Sequence, residues 1–489
     1  MKYKTKPYAH QAECLERFGG REAYALLAEM GTGKTWIIIN DAANLYLRNL
    51  CDSILVLAPN GVHVNWTRIE IPKHIPDDIS YKSLAWTRSK TKTFEREYQD
   101  LIEFDGLKIF TMNWEALQSN RGILAAHKFA DSCKRLMIVC DESDSIKNPR
   151  AKRTKALFKL KQKSHWRRIL TGTPINNSPF DAFSQYNFLD EEILHCRSFY
   201  AFKAEYALLL KPGNPLYDSI AAKTRFTPQV VARKNGFPVY RNLDKLAKLI
   251  LPHSFRILKE QCLDLPDKIY KNVFFELTPQ QKRIYKKARD ECRIILADEE
   301  KPIEKLTAIM KLAQITSGFY IHPFAEDPVR IEGPNPKIGI LGDRAQAITD
   351  AGNSLIIWAR FRAEISDIAK ELKRRGVSYV EYHGGIPNKN RAEVIDAFMN
   401  KEAQVFLGNQ KAGGKGLTLT AANYVIYFSN DFSLSGRLQS EDRAHRIGQE
   451  KDVTYINLIA KDTIDETILL AIDSKRNLAD LILERPDLV

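Results

Sequence analysis

The chain has 489 residues, of which 44% are hydrophobic and 27% are charged. This composition is typical of folded globular proteins and excludes collagen-like and low-complexity chains. Lysine and arginine total 74 against 60 acidic residues, so the formal net charge is +14. Such a surplus indicates either a polyanionic partner, most often nucleic acid, or a basic protein without one.

Neither a membrane span nor a secretion signal is expected. No apolar run approaches the about 18 residues that a membrane helix needs. The first residues are polar and lack the apolar stretch of a signal peptide. The seven cysteines are scattered and contain no CxxC pair, which predicts a reducing, cytoplasmic location without a zinc ribbon.

Strand-like apolar runs alternate with helix-like amphipathic runs in both parts of the chain, which predicts an α/β fold with parallel sheets. The helix-like runs include 34–49, 362–375 and 390–400. The strand-like runs are 53–58, 108–112, 136–140, 167–173, 354–359, 378–382, 404–408, 424–428 and 453–459. They are missing from about 180 to 320, which predicts a mainly helical segment. The proline-rich stretch 321–339 predicts a linker.

The segment AEMGTGKT (28–35) joins an apolar run to a helical one. A glycine-rich turn in this context surrounds phosphates with backbone N–H groups at a helix N-terminus. Gly31, Thr32 and Gly33 therefore form a predicted phosphate-binding loop. Lys34 supplies a charge to the β and γ phosphates of ATP, and Thr35 supplies a hydroxyl for Mg²⁺. The alternative is an ordinary glycine-rich turn with an incidental lysine.

Two carboxylates follow the apolar run 136–140 directly. This order places Asp141 and Glu142 at the carboxyl edge of a sheet, where α/β proteins bind ligands. We expect Asp141 to hold Mg²⁺ and Glu142 to orient the attacking water. Acidic pairs after strands are common in solvent, and the phosphate-binding loop upstream is what favours the catalytic interpretation.

The segment GRLQSEDRAHRIGQ (436–449) carries Gln439, Arg443 and Arg446. The two arginines are three residues apart, so a helix would place them on one face. They are either a solvated charged face or a pair that reaches the γ-phosphate from the second half of the chain.

In this order the motifs resemble those of the Swi/Snf family of DNA-dependent ATPases, within helicase superfamily two. The resemblance extends to PYAHQ (7–11), VLAPNGVHVNW (56–66), LTGTPINN (170–177) and the second-part motifs that end in AHRIGQ. It implies that Gln11 reads the adenine edge and that Gln439, Arg443 and Arg446 complete the ATP site. It implies that Thr171 and Thr173 couple ATP hydrolysis to DNA movement.

The implied fold is two RecA-like parallel-sheet lobes with a mainly helical insertion between them. The implied boundaries are 1–190 for the first lobe, 191–320 for the insertion, 321–340 for the linker, 341–460 for the second lobe and 461–489 for a C-terminal brace helix.

Duplex or branched DNA is the expected partner, with single-stranded contacts in addition. The stretch 147–168 has ten basic residues and no acidic one, which favours either phosphate contacts or a solvated helix. Lys152 and Arg153 represent this stretch among the predicted contacts. The resemblance adds Pro59, Asn60, His383, Gly384, Gly413 and Gly414.

The sequence predicts an ATP-dependent DNA translocase or helicase that remodels branched or protein-bound DNA in replication, recombination or repair, including by branch migration. The alternatives are an RNA helicase, an ATP-gated clamp without turnover and the motor subunit of a nuclease complex. Asp144 and Thr418 depart from the family's usual histidine and asparagine. No appended reader domain is evident, which disfavours nucleosome remodelling and favours a compact bacterial or viral member.

Overall fold

Two parallel sheets covered by helices organise the protein in a computed structural model. The structure describes residues 2–222, 227–234, 237–297, 302–321, 327–387, 390–410 and 417–483. The chain divides into two compact units, which we call the first unit (Met1–Leu263 with Lys475–Val489) and the second unit (Asp264–Ser474).

The first unit contains a seven-stranded sheet whose neighbouring strands are all parallel. Its strands are β1 (Ala23–Ala28), β2 (Ser53–Ala58), β3 (Tyr81–Ala85), β4 (Leu107–Asn113), β5 (Leu136–Asp141), β6 (Ser164–Leu170), a separate pair β7 (Arg233–Lys234) and β8 (Phe237–Pro238), and β9 (Ser254–Ile257). The order across the main sheet is β3-β4-β2-β5-β6-β1-β9.

The helices of this unit connect successive strands, as crossovers between parallel strands require. They are α1 (Ala9–Phe18), α2 (Lys34–Leu47), α3 (Val62–Asn65), α4 (Ile71–His74), α5 (Lys92–Ile102), α6 (Asn120–Asp131), α7 (Lys152–Lys161), α8 (Ala182–Leu189), α9 (Phe199–Tyr206), α10 (Pro215–Ala221), α11 (Leu243–Ile250) and α12 (Lys259–Cys262). A π-helical turn, Trp66–Glu70, joins α3 to α4.

Both faces of the central strands β1, β2 and β5 are buried, which explains why these strands are apolar at nearly every position. Along β1, Ala25 and Leu27 belong to one core, whereas Tyr24, Leu26 and Ala28 belong to the other. Side chains alternate between the faces of a strand, so a strand covered by helices on both sides needs apolar residues at every position.

A buried ion pair ties α2 to β6 inside this unit. The Arg168 Nε donates to Asp41 Oδ2 at 2.8 Å, and both side chains have no exposed surface. The Tyr24 hydroxyl donates to the same oxygen at 3.1 Å, and the guanidinium lies 4.2 Å from the Tyr24 ring centre. The pair joins the helix after the phosphate-binding loop to the strand that leads to Thr171.

We expect Arg168→Met to destabilise the first unit by about 3–5 kcal/mol, because it leaves the Asp41 charge buried without its partner. Denaturant unfolding measures the loss. The double variant Arg168→Met/Asp41→Asn removes the unpaired charge and should recover part of the lost free energy of unfolding. Lys245→Ala, which breaks an exposed pair with Glu205, is the matched control and should change little. Equal losses in the single and double variants would contradict this account.

The second unit contains a six-stranded parallel sheet. Its strands are β10 (Lys268–Phe275), a separate hairpin β11 (Phe319–Tyr320) and β12 (Val329–Arg330), then β13 (Leu355–Trp358), β14 (Tyr379–Tyr382), β15 (Val405–Gly408), β16 (Tyr424–Tyr427) and β17 (Val453–Ala460). The order is β10-β17-β16-β13-β15-β14. The helices are α13 (Pro279–Ala297), α14 (Pro302–Thr316), α15 (Pro336–Asp350), α16 (Arg362–Arg374), α17 (Arg391–Met399), α18 (Leu434–Glu441) and α19 (Ile464–Leu483).

The α/β fold class with two parallel-sheet lobes is confirmed, as are the strands and helices predicted from hydrophobic patterns. The expectation that strands are absent from about 180 to 320 is wrong. Strand β9 completes the first sheet beside β1, and β10 forms the edge of the second sheet beside β17. Strand β9 has only four residues, and β10 is largely exposed, so neither shows the continuous apolar run of a buried strand.

The range 191–320 is divided between the two units at Leu263 and Asp264. Its first part packs on the first core through residues such as Phe202 and Leu246. The range 321–340 contributes β12 and the start of α15 to the second unit, and the division near the C-terminus falls within α19. It stays a prediction that 191–320 acts as an insertion, 321–340 as a linker and 461–489 as a brace. No helix among the described residues is long and apolar enough to cross a bilayer.

Candidate active site

The phosphate-binding loop occupies the turn between β1 and α2. Gly31 and Gly33 both have φ of +82°, a left-handed conformation that glycine adopts without strain. A β-carbon on Gly33 would lie 2.1 Å from the Gln11 Nε2 atom, so a larger residue would also clash there. The loop therefore forms the glycine-rich turn between strand and helix that the sequence predicts.

Two side chains of the loop donate hydrogen bonds to backbone carbonyls of the same loop. The Lys34 Nζ donates to the carbonyl oxygens of Ala28 at 2.7 Å and Glu29 at 3.1 Å. The Thr32 hydroxyl donates to the same Glu29 oxygen at 2.8 Å. The ammonium of Lys34 thus lies across the loop, where a phosphate can take over its hydrogen bonds. Thr35 follows it in the first turn of α2.

Helix α1 packs against this loop. The buried Gln11 accepts from the Tyr8 backbone N–H at 2.9 Å and donates from Nε2 to the Gly33 carbonyl at 3.4 Å. The His10 Nε2 donates to the Thr32 carbonyl at 2.8 Å. Gln11 therefore lies beside the predicted phosphate site, and its contact with adenine stays a prediction.

The acidic pair lies at the carboxyl end of β5, and both side chains are 8% exposed. The Trp66 indole N–H donates to Asp141 Oδ2 at 3.0 Å, and the Trp114 indole N–H donates to the Asp141 carbonyl at 3.0 Å. Glu142 has φ 51° and ψ 61°, a left-handed conformation that costs a non-glycine residue about 1–2 kcal/mol. Two buried indoles thus hold Asp141 in place, and Glu142 lies next to it in a strained turn.

The sequence offers Trp66 and Trp114 as core residues or as residues that stack on bases; the structure buries both and has them donate to Asp141, contacts that no motif indicates. If Asp141 holds Mg²⁺, we expect Trp66→Phe to weaken metal affinity about tenfold by removing the donor that orients its carboxylate. Manganese binding measured by paramagnetic resonance in the presence of ADP gives the affinity directly. Trp86→Phe is the control, because the Trp86 nitrogen has no hydrogen-bond partner among the described residues. Equal effects in both variants would count against this role.

The segment after β6 lies against the base of the phosphate-binding loop. The Thr171 N–H donates to the Leu26 carbonyl at 3.2 Å, and the Thr173 N–H donates to the Thr171 hydroxyl at 3.1 Å. A β-carbon on Gly172 would lie 3.4 Å from the Ala28 carbonyl oxygen. Thr171 and Thr173 are thus placed beside the loop, and their coupling role stays a prediction.

Strand order explains how these motifs meet. Strands β5, β6 and β1 are neighbours and parallel, so their carboxyl ends share one edge of the sheet. The unusual Asp144 accepts from Asn176 Nδ2 at 3.2 Å, which links the acidic segment to the one that follows β6. The first unit therefore gathers the loop, the acidic pair and the threonine segment in one place.

In the second unit the two arginines converge, but not on a helix face. Helix α18 ends at Glu441, so the predicted helix through 446 is wrong. The Arg443 carbonyl accepts from the Leu419 N–H, and the Ala444 carbonyl accepts from the Gln449 side chain. Past Glu441 the backbone tightens, since the Arg443 N–H donates to the Ser440 carbonyl and the Ala444 N–H donates to the Glu441 carbonyl, each three residues back.

A shared backbone acceptor brings the arginines together instead. The Nη1 atoms of Arg443 and Arg446 donate to the Leu417 carbonyl at 3.2 and 3.1 Å. Arg443 is 6% exposed. Gln439 is half-buried on α18, one turn earlier. The proximity of the two guanidiniums is therefore confirmed, and their contact with a nucleotide stays a prediction.

A buried network anchors α18. The Arg437 Nε donates to Glu441 Oε1 at 2.8 Å, and its guanidinium lies 3.4 Å from the Tyr427 ring centre. The Tyr270 hydroxyl donates to Glu441 Oε2 at 2.8 Å. The only indication of the Arg437–Glu441 pair in the sequence is its spacing of four residues within one helix.

The basic stretch 147–168 is not one continuous surface. It forms α7 and β6, and Arg168 is fully buried. Lys161 donates to the Asn187 carbonyl at 2.6 Å, so it is engaged within the fold. Lys152 at the start of α7 is exposed, and Arg153 is half-buried. Only part of the stretch can contact a ligand.

The other predicted DNA contacts lie at strand ends. Pro59 is buried and Asn60 is exposed in the turn after β2. After β14, the His383 Nδ1 accepts from the Gly385 N–H at 3.0 Å, and Gly384 is exposed. Gly413 and Gly414 lie outside the described residues. Contact between any of these positions and DNA stays a prediction.

The described residues contain no group of three or more His, Cys, Asp or Glu side chains suited to a metal ion. Magnesium at nucleotide sites usually takes one or two protein oxygens, with phosphates and water supplying the rest. Asp141 and the Thr35 hydroxyl fit that pattern, since Asp141 ends β5 and Thr35 follows β1, two strands that flank β6 and end at the same sheet edge.

Comparison with known proteins identifies two matching family models. The SNF2-related domain matches residues 10–320, and the helicase conserved C-terminal domain matches residues 341–448. The chain is 29% identical over 457 residues to an "Uncharacterized ATP-dependent helicase" of Mycoplasma pneumoniae, covering 92% of this chain and 39% of that protein.

It is also 28% identical to the "Chromodomain-helicase-DNA-binding protein 1-like" of Danio rerio, over 93% of this chain and 41% of that protein. The chain thus spans less than half the length of these relatives. A solved structure, the "Sulfolobus solfataricus SWI2/SNF2 ATPase core in complex with dsDNA", is 26% identical, with 98% of this chain and 93% of that chain covered and a TM-score of 0.41. Since the SNF2-related model alone matches more than half of the residues, the chain belongs to the SNF2-related family.

Proposed function

We propose that this chain is an ATP-dependent DNA translocase or helicase, which couples ATP hydrolysis to movement along DNA. The proposal depends chiefly on the arrangement of three motifs at the carboxyl edge of the sheet in the first unit. There the loop around Lys34, the acidic pair after β5 and the threonine segment after β6 follow three adjacent parallel strands. Phosphate binding, metal binding and water orientation are the three tasks that phosphoryl transfer to water requires.

In this proposal the residues of the first unit have separate roles. Lys34 neutralises charge on the β and γ phosphates, and Gln11 contacts the adenine. Thr35 and Asp141 hold Mg²⁺, which when bound neutralises charge on the phosphate oxygens. Glu142 orients the water for attack. The fixed position of the Asp141 carboxylate on Trp66 and the left-handed turn at Glu142 support these roles, because a catalytic group must be held in place before the substrate arrives.

The second unit is proposed to supply Gln439, Arg443 and Arg446 to the same nucleotide. Two guanidiniums on one carbonyl form a compact positive group that is already ordered by the turn after α18. Arginine is suited to this task because its charge is permanent and its donors match phosphate oxygens. Thr171 and Thr173, beside the loop, are proposed to transmit nucleotide occupancy to the DNA-binding surface.

Duplex DNA is the partner that we propose, with branched DNA as the physiological form. The net charge of +14 and the exposed positions Asn60, Lys152 and Gly384 support contacts with a phosphate backbone. The names of the relatives, which include helicases and a DNA-binding helicase, agree with this. The seven free thiols are consistent with the cytoplasm, where we propose that it acts in replication, recombination or repair.

The test is a phosphate-release assay with duplex DNA, single-stranded DNA and structured RNA. We expect duplex DNA to stimulate turnover most, and Glu142→Gln to remove turnover while ATP still binds. Stimulation by RNA alone would indicate an RNA helicase, and ATP binding without any turnover would indicate a clamp; either result contradicts the proposal. Displacement of a third strand from a triplex measures translocation, while fork and four-way junction substrates measure branch remodelling.

A further inference from the structure

A second lysine lies against the phosphate-binding loop, far from it in sequence. Lys259 opens the short helix α12 after β9. It is 4% exposed, and a lysine is almost never buried unless its charge is paired. The carbon next to its ammonium, Cε, lies 3.9 Å from where a β-carbon on Gly31 would be.

Two hydrogen bonds hold this segment on the loop. The Lys259 N–H donates to Glu29 Oε2 at 2.6 Å, and the Glu29 N–H donates to the Ile257 carbonyl at 3.0 Å. Strand β9 also pairs in parallel with β1, with Ile257 opposite Ala28. The carboxyl ends of both strands therefore reach the same place, and the residues after β9 continue along the loop that follows β1.

The charges of Glu29 and Lys259 both affect the pKa of the nearby Cys262 thiol. Burial raises the pKa of Cys262, the negative charge of Glu29 raises it further, and the positive charge of Lys259 lowers it. Both charged groups thus lie near one another beside the loop. An ammonium in such a partly desolvated place interacts strongly with any anion that enters.

We propose that Lys259 binds the polyphosphate of the nucleotide, as a second cation that the chain supplies from outside the glycine-rich loop. This rests on the proposed ATP site and adds a residue to it. Gly31 leaves the space beside the lysine unfilled, so a phosphate on the loop can approach its ammonium. Lys34 contacts the phosphates from the carboxyl-terminal end of the loop, and Lys259 contacts them from the segment after β9.

The location gives the contact a consequence. Lys259 lies four residues before Leu263, where the first unit ends and the chain passes to the second. In this proposal a bound nucleotide therefore adds a contact to the segment that leads to the connection between the units. The bound phosphates then act on that connection through Lys259, in addition to any contact made by Arg443 and Arg446.

The experiment measures nucleotide binding by the whole chain. A fluorescent ADP analogue is bound, then displaced separately with adenosine and with inorganic tripolyphosphate. We expect Lys259→Gln to weaken tripolyphosphate competition about 10- to 100-fold, the effect of one charge-assisted contact, and to leave adenosine competition unchanged. Lys259→Arg should restore most of the tripolyphosphate affinity. The control Lys248→Gln removes a lysine that is exposed on α11 and should change neither competitor.

The outcomes separate this inference from the proposed function. If the native chain does not bind the ADP analogue, the proposed ATP site fails. If the native chain binds it and Lys259→Gln matches the native chain with both competitors, the Lys259 inference is overturned and the ATP site stands. Equal weakening of adenosine and tripolyphosphate competition shows a structural role and also overturns the inference.

Discussion

Lys34→Ala should reduce DNA-stimulated ATP turnover by about 10²-fold or more while DNA affinity stays within several-fold. The ammonium spans the phosphate-binding loop through the carbonyls of Ala28 and Glu29. In the proposed site, the phosphates of ATP replace these carbonyls as partners of the ammonium. The positive charge of Lys34 then lies where negative charge develops in the transition state. The predicted DNA contacts all belong to other segments of the chain, so duplex binding should persist. Phosphate release and fluorescence anisotropy of labelled duplex measure the two properties.

The control for this experiment is Lys248→Ala, which removes an exposed lysine from the same unit and should keep native turnover. A melting measurement on both variants excludes unfolding as the cause. Undiminished turnover in Lys34→Ala would remove the basis for the proposed ATPase. Parallel loss of turnover and DNA affinity would instead place Lys34 in a wider structural role.

The nucleotide half of the site could be predicted because its information is local. The spacing of Gly31, Gly33 and Lys34 determines a strand-to-helix turn by itself, and the structure has the two left-handed glycines that this turn needs. The run 136–140 is apolar at every position because both faces of its strand are buried. Its end therefore marks where Asp141 and Glu142 leave the sheet.

The groups that hold the site in place could not be predicted, because their partners are distant in sequence. The indole of Trp66 meets Asp141 across 75 residues, and Arg168 meets Asp41 across 127. Lys259 reaches the loop only because β9 pairs with β1. Each contact depends on strand order, which hydrophobic periodicity does not encode.

The arginine segment shows a different kind of limit. Local spacing predicted the proximity of Arg443 and Arg446 for the wrong reason, since a helix face was assumed. The structure ends α18 at Glu441 and joins both guanidiniums at the Leu417 carbonyl. After Glu441 the backbone turns more tightly than an α-helix, with Arg443 and Ala444 donating to carbonyls three residues back, and the Leu419 N–H holds the Arg443 carbonyl.

This geometry makes Arg446→Ala the sharper test of the second unit. Arg443 keeps its own bond to Leu417, so the turn should survive the loss of one guanidinium. If Arg446 contacts the nucleotide chiefly in the transition state, turnover should fall about 10³-fold or more. ATP affinity should stay within several-fold, because an interaction made only in the transition state leaves ground-state binding intact.

Two further variants make the result specific. Arg446→Lys should remain strongly impaired, since an ammonium cannot reproduce the planar, two-donor contact of a guanidinium. Arg374→Ala, on the exposed face of α16 beside Glu371, should keep native turnover. If Arg446→Ala loses ATP affinity and turnover equally, the residue binds ATP in the ground state and the transition-state role is wrong. If neither changes, the converged arginines serve the fold of the second unit alone, and the catalytic charge must come from the first unit through Lys34 and Lys259.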